Sequence, residues 1–232
     1  MENLPIVILI SGQGTNLQTI IDATTGEDPP LPVKILAVIS NQADAFGIIR
    51  ATRADIPTHI LPHKNYPHRA AFEKALQAKI DEYAPKLVVL AGFMRKLGPN
   101  FVKHYHGRLI NIHPSLLPKY PGLHTHQRVL AAGDQEHGAT VHYVDDTVDA
   151  GPIICQGRFK VHPEDTADRL KQRVQPLEYL IYPQVLLWIA SHRLELKDDH
   201  VFLDGQPLPK SGIQIDPSCK INDIMKKKMT NR

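Results

Sequence analysis

Asn111 and His113 are the residues whose types and spacing most directly suit chemistry. They alternate at the end of the apolar run Arg108-Leu109-Ile110-Asn111-Ile112-His113, which reads as a buried parallel strand. On a strand the two side chains project from the same face. The loop after them, through Pro114, Pro118, Pro121 and Gly122 to His124, can continue neither as strand nor as helix. In an open α/β sheet the carboxyl end of a strand is where ligands bind. An amide donor beside an imidazole suits a developing oxyanion, and the imidazole can also move a proton. The alternative is that both side chains only tie down the loop. Asp149 is the third candidate, on a sharply turning stretch before Ala150-Gly151-Pro152. A carboxylate reaching the imidazole would fix its orientation and favour its charged form. Spacing alone leaves open a second role, the capping of nearby backbone N–H groups.

A second constellation is the turn Gly12-Gln13-Gly14-Thr15-Asn16. Strand, glycine turn and helix start together offer backbone N–H groups and the positive end of a helix to a phosphate. The dinucleotide fingerprint is incomplete. Leu17 stands where the third glycine belongs, and the second strand ends in Ser40-Asn41 without an acidic ribose-binding residue. The turn therefore suits a small phosphate monoester rather than NAD, the alternative being a tight βα turn with no ligand. The chain also has 13 histidines, among them His124, His126, His137 and His142. No helical HExxH spacing occurs and no cysteine accompanies them, so surface or loop roles are expected and no metal.

These residues need elements to hold them. Strands are expected at Pro5 to Ile10, Val33 to Ser40, Thr58 to Leu61, Lys86 to Ala91 and from Arg108. Helices alternate with them: from Leu17 to Ala23 with Thr15 as N-cap, Asp44 to Arg53, Arg69 to Tyr83 and Pro99 to Tyr105. The alternation predicts an α/β fold with a doubly wound, mostly parallel sheet. The second half differs. Thr125 to Ala132 reads as helix, and Thr140 to Val144 with Pro152 to Val161 as an antiparallel strand pair. Thr166 to Ile189 has helical periodicity that Pro176 and Pro183 should kink or segment. Asp204-Gly205 marks a hairpin within His200 to Leu208.

Length and composition set the outer bounds. The 232 residues fit one domain over 1–210 and an irregular basic tail over 211–232, with Lys226, Lys227, Lys228 and Arg232 near its end. A net charge of +3 is too mild to point to nucleic acid. Cys155 and Cys219 make neither a disulfide framework nor a zinc spacing, which fits a reducing cytoplasm. The run Pro5 to Ile10 is too short for a signal peptide, and no stretch is long enough to span a membrane.

Five stretches together resemble the glycinamide ribonucleotide formyltransferases, folate-dependent transformylases of purine synthesis, and most closely their bacterial single-domain form. They are Ile10 to Leu17, Ser40 to Ala45, Leu90 to Arg95, Asn111 to Gly122 and Asp149 to Ile153. They run along nearly the whole chain, about the last twenty residues matching only loosely. The Asn-x-His-Pro-Ser pattern marks folate-dependent formyltransferases as a class, and the turn at the start narrows it to this branch.

The resemblance implies a Rossmann-like formyltransferase fold, with a nucleotide phosphate site in the N-terminal half and a folate site in the C-terminal half. It implies Asn111, His113 and Asp149 as the catalytic trio. It implies Gly14, Thr15 and Asn16 at the phosphate, and Gln175, Pro176, Leu177 and Glu178 at the ribose and glycinamide. Arg69, Met94, Arg95, Lys96, Leu97, Asn111 and the loop Asp145, Asp146, Thr147, Val148 and Asp149 would line the pocket for 10-formyltetrahydrofolate. The implied partners are these two small molecules, with the chain a monomer or weak homodimer. Two departures stand out. Lys96 replaces the usual aliphatic residue beside the pterin, and Pro176 falls within the nucleotide segment. The rival readings are a formyltetrahydrofolate hydrolase, which would carry an N-terminal regulatory domain, and a methionyl-tRNA formyltransferase, which would carry a C-terminal RNA-binding barrel. A non-catalytic nucleotide-binding module would keep Gly12 to Asn16 but would not need His113.

Overall fold

In the computed structural model, which describes residues 3–26 and 29–215, alternating strands and helices build one large sheet. Leu4–Ile10 (β1), Val33–Ser40 (β2), Thr58–Ile60 (β3), Leu87–Leu90 (β4) and Leu109–His113 (β5) are parallel, in the order β3-β2-β1-β4-β5. Helices Thr15–Thr25 (α1), Phe46–Arg53 (α2), Arg69–Asp81 (α3) and Pro99–His104 (α4) connect them. The chain order reverses between β1 and β4, so the carboxyl ends of those strands open the crevice where ligands bind in this architecture.

The alternation of side chains along β1 distributes the core. Ile6, Ile8 and Ile10 face a layer that contains Leu17 and Ile20 of α1, and Val7 and Leu9 face a layer that contains Phe72, Leu76 and Ile80 of α3. A strand buried on both faces is apolar at every position, which is why LPIVILI shows no polar alternation.

Beyond β5 the helix Thr125–Ala132 (α5) leads to Glu136–Tyr143 (β6) and Ile153–Lys160 (β7), which extend the sheet antiparallel. The helix Ala167–Ala190 (α6) then packs across the first layer. It is not segmented: both Pro176 and Pro183 lie inside one helix. Proline in a helix interior costs about 3 kcal/mol. Leu170, Val174, Leu177, Ile181 and Val185 of α6 are all buried, and apolar burial of that extent offsets the loss.

Leu194–Lys197 (β8), His200–Leu203 (β9) and Gln206–Pro207 (β10) form a separate antiparallel sheet. The Asp204-Gly205 hairpin is present, and β8 is an additional strand that the sequence did not announce. Ile213–Ile215 (β11) is not irregular. It pairs parallel with β7 at the sheet edge and buries Ile215. The rest of the expected basic tail, 216–232, lies outside the described residues.

One cap also differs. The N-cap of α1 is Gly14 at φ 69°, and Thr15 is the first helical residue. Glycine takes that conformation at no steric cost, whereas a threonine there would be strained. A Cβ at Gly14 would also lie 2.6 Å from the Gly47 Cα of α2.

Candidate active site

The strand-end pair and the distant aspartate come together. Asp149 adopts φ 52° in the turn between β6 and β7, which carries its carboxylate back over the end of β5. Its Oδ2 lies 3.3 Å from His113 Nδ1 and accepts the Gly122 N–H at 2.8 Å. Its Oδ1 accepts from Asn111 Nδ2 at 3.4 Å. The His113 Nε2 donates to the Tyr120 carbonyl at 2.9 Å. Both ring nitrogens thus face acceptor oxygens, which fixes the plane of the ring. The His113 side chain is only 7% exposed and that of Asp149 13%, so their attraction is weakly screened by water.

A fourth residue, His142, belongs to this cluster. Burial holds its imidazole below the ordinary range, so it is neutral. Its Nδ1–H donates to the Tyr143 carbonyl at 2.8 Å, which leaves the Nε2 lone pair to accept from Asn111 Nδ2 at 3.2 Å. The Asn111 amide is therefore aimed from two sides. The signal for His142 was the register itself: Asn111 stands opposite His142, and His113 opposite Thr140.

The loop after His113 is tied to its surroundings. Lys119 forms an ion pair with Asp134 at 2.8 Å, the Tyr120 hydroxyl donates to the same carboxylate at 2.8 Å, and Arg128 donates to the Pro121 carbonyl at 2.6 Å. Of the other histidines, His126 and His137 hydrogen-bond each other at 2.9 Å, and burial lowers His137 to about 4. Among the described residues no group of three or more His, Cys, Asp or Glu side chains is placed to hold a metal.

The phosphate-turn residues meet the α6 segment. Asn16 Nδ2 donates to Glu178 Oε2 at 3.1 Å across 162 residues of sequence. Both side chains are buried, and burial pushes the Glu178 carboxyl up to about 7. Asn16 Oδ1 has no protein partner. No side chain caps α1, so its first N–H groups have no side-chain acceptor at this corner. Of the remaining segment, Gln175 is half-buried and Pro176 exposed, but Leu177 packs into the core against Gly157 of β7 and leaves only its main chain for any ligand.

On the other side of the β1–β4 crevice, Met94, Arg95 and Lys96 are exposed and Leu97 is buried. Lys96 stands exposed on this loop. Arg69 pairs with Glu73 at 3.4 Å, and Glu73 accepts the Gly98 N–H at 2.8 Å, which brings α3 to the end of this loop. Across from it, Asp145 is half-buried while Asp146, Thr147 and Val148 are exposed. A cavity of about 780 Å³ shares Asp145 and Asp146 with that loop but contains neither the catalytic cluster nor Met94–Leu97. It lies between α4 and the β8–β10 sheet.

Comparison with known proteins shows the family of the chain. Residues 4–186 match the formyl transferase family. The phosphoribosylglycinamide formyltransferase of Escherichia coli is 52% identical over 91% of this chain and 99% of its own length, and that of Haemophilus influenzae 49% over 89% and 97%. Among solved structures, the phosphoribosylglycinamide formyltransferase from Coxiella burnetii superposes with a TM-score of 0.88 at 61% identity, covering 92% of this chain and all of that one. Glycinamide ribonucleotide transformylase 1 from Symbiobacterium toebii gives 0.82 at 39%, covering 87% and 94%. The chain is a formyltransferase and belongs to the phosphoribosylglycinamide formyltransferase family.

Proposed function

We propose that the protein transfers the formyl group of 10-formyltetrahydrofolate to the amine of glycinamide ribonucleotide, a step of purine biosynthesis. The observation that carries this reading is the Asn111–His113–Asp149 cluster at the end of β5, between an uncapped helix N-terminus and the Met94–Leu97 loop. The uncapped N–H groups of α1, with Gly14, Thr15 and Asn16, receive the phosphate monoester. Glu178 and Gln175 lie on the same side and meet the ribose and glycinamide. Met94–Leu97, Arg69 and Asp145–Asp149 line the folate side. Two small-molecule substrates are the partners, with no metal in the reaction.

In the chemical step the free amine adds to the formyl carbon, and the carbonyl oxygen becomes an oxyanion. Asn111 Nδ2, releasing its 3.4 Å contact with Asp149 Oδ1, and His113 donate to it, and the carboxylate of Asp149 holds the orientation of the imidazole through Nδ1. The tetrahedral adduct collapses when the folate nitrogen leaves with the bonding pair. A proton passes from the attacking to the leaving nitrogen, with Asp149 and a water assisting. His113 Nε2 engages the Tyr120 carbonyl in the structure, so that oxygen must give way where the oxyanion takes the same donor. Holding both substrates in line supplies several kcal/mol of the acceleration, on the order of 7–11 in well-oriented cases.

The test is turnover of 10-formyltetrahydrofolate with and without glycinamide ribonucleotide. Turnover that requires the nucleotide supports the reading, and turnover without it would make the protein a hydrolase. Asp149→Asn should lower single-turnover formyl transfer by about 10² or more with folate binding little changed. The double variant His113→Ala with Asp149→Ala should lose much less than the product of the two single losses, because the pair acts as a unit. Strictly multiplicative losses would separate Asp149 from His113.

A further inference from the structure

The stretch that ends β2, Ser40-Asn41, has no part in the reaction described so far, yet Asn41 is only 1% exposed and sits beside the catalytic crevice. We propose that the Ser11 hydroxyl, aimed by Asn41 and His63, is the positioning group that holds the Met94 main chain, and with it the loop Met94–Leu97, in its folate-binding geometry. The inference rests on the reading of that loop as one wall of the folate site.

The loop between β4 and α4 has no regular secondary structure, so its backbone groups need partners from elsewhere. At its near end Ser11 N–H donates to the Gly92 carbonyl at 3.1 Å, and Met94 N–H donates to Ser11 Oγ at 2.7 Å. At its far end Gly98 N–H donates to Glu73. The exposed Arg95 and Lys96 lie between these two anchors.

Ser11 can accept from Met94 only if its own proton points away, and Asn41 ensures this. Ser11 Oγ–H donates to Asn41 Oδ1 at 2.5 Å. Asn41 Nδ2 in turn lies 3.1 Å from His63 Nδ1, which follows β3 in a short 3₁₀ turn, His63–Asn65. With His63 protonated on Nε2, its Nδ1 accepts. Met94, Ser11 and Asn41 then donate in one direction, each bond polarising the next. The other tautomer would donate to the Asn41 main-chain oxygen at 3.2 Å and leave Asn41 Nδ2 facing an N–H. Three strand ends thus converge on one backbone N–H of an exposed loop. The nucleotide turn does not depend on this chain. Gly47 N–H holds the Gly12 carbonyl at 3.0 Å, and Arg50 Nε holds the Gln13 carbonyl at 2.8 Å.

Steady-state kinetics of the full chain, with each substrate varied, tests the assignment. Ser11→Ala should raise the KM for 10-formyltetrahydrofolate about 5–10-fold, the worth of one hydrogen bond, with kcat and the nucleotide KM within about two-fold. Ser11→Thr, which keeps the hydroxyl, should restore most of the affinity, and His63→Phe should give a smaller rise. An equal rise in both KM values that Ser11→Thr does not rescue would make Ser11 a fold residue and overturn the proposal. Met94→Ala separates the proposal from the reading beneath it. If Met94→Ala raises the folate KM and Ser11→Ala does not, the positioning chain alone is wrong. If neither variant changes it, the loop is not the folate wall and both fall.

Discussion

Glu178 and Asn16 show how far a single environment can move a group. Burial lifts the Glu178 carboxyl from 4.5 to about 7, against the lowering effect of the Asn16 hydrogen bond. The neutral form is therefore favoured in the folded protein. Between those two values the folded state holds more protons than the unfolded state. The contribution to stability is thus fully present below about 4.5 and is lost as pH rises through about 7. Binding runs the other way if the carboxylate is what meets the nucleotide. Affinity for glycinamide ribonucleotide should increase as pH rises through about 7, and Glu178→Gln should flatten that dependence and raise the nucleotide KM about 10-fold at pH 8. An unchanged pH profile of the nucleotide KM in Glu178→Gln would remove Glu178 from the site. At this scale the sequence singled out Asn111 and His113, because two polar residues on one face of a buried strand end need a reason. Asp149 was undecided between two roles on spacing alone, since the turn that returns it at φ 52° is not written in its neighbours. His142 was hidden among many histidines, although the antiparallel register places it opposite Asn111.

The elements were legible where hydrophobic period is strong and less so where close approach decides. Thr125–Ala132 was foreseen to the residue, and the parallel strands within a residue or two. The start of α1 was not, because what places Gly14 is the backbone of α2 passing beside it. That contact carries a prediction about the phosphate corner. Gly14→Ala puts a methyl group 2.6 Å from the Gly47 Cα, at a positive φ, and must tilt the first turn of α1. The nucleotide KM should rise by about 10-fold or more with the folate KM nearly unchanged. Gly205→Ala is the control, since it has a positive φ of 75° but nothing within 4 Å of its new methyl. If Gly205→Ala weakens nucleotide binding as much as Gly14→Ala, the effect is general destabilisation and the phosphate assignment loses this support.

At the scale of the molecule, the order β11-β7-β6-β5-β4-β1-β2-β3 puts the proposed site in the middle of the sheet and β11 at its edge. The edge was the least legible part. Three residues, Ile213-Gln214-Ile215, are too short for an alternation to register, and their partner strand ends more than fifty residues earlier. The joint is nevertheless specific. Gly212 turns at φ 66° where a Cβ would fall 2.5 Å from the Ile154 carbonyl oxygen, and Ile215 is 4% exposed. Ile215→Ala should therefore cost about 2–4 kcal/mol, the range for removing a buried aliphatic side chain. In a chain of this size each kcal/mol lowers Tm by about 2–4 °C. Because β7 and β6 stand between β11 and the residues of β5, the kcat/KM of the folded protein should stay within about two-fold of wild type. Thermal unfolding and kinetics on the same preparation decide it. A loss of kcat/KM that grows with temperature only as the protein unfolds fits a supporting edge. A loss well below Tm would mean that the edge strand reaches the catalytic cluster through β7 and β6.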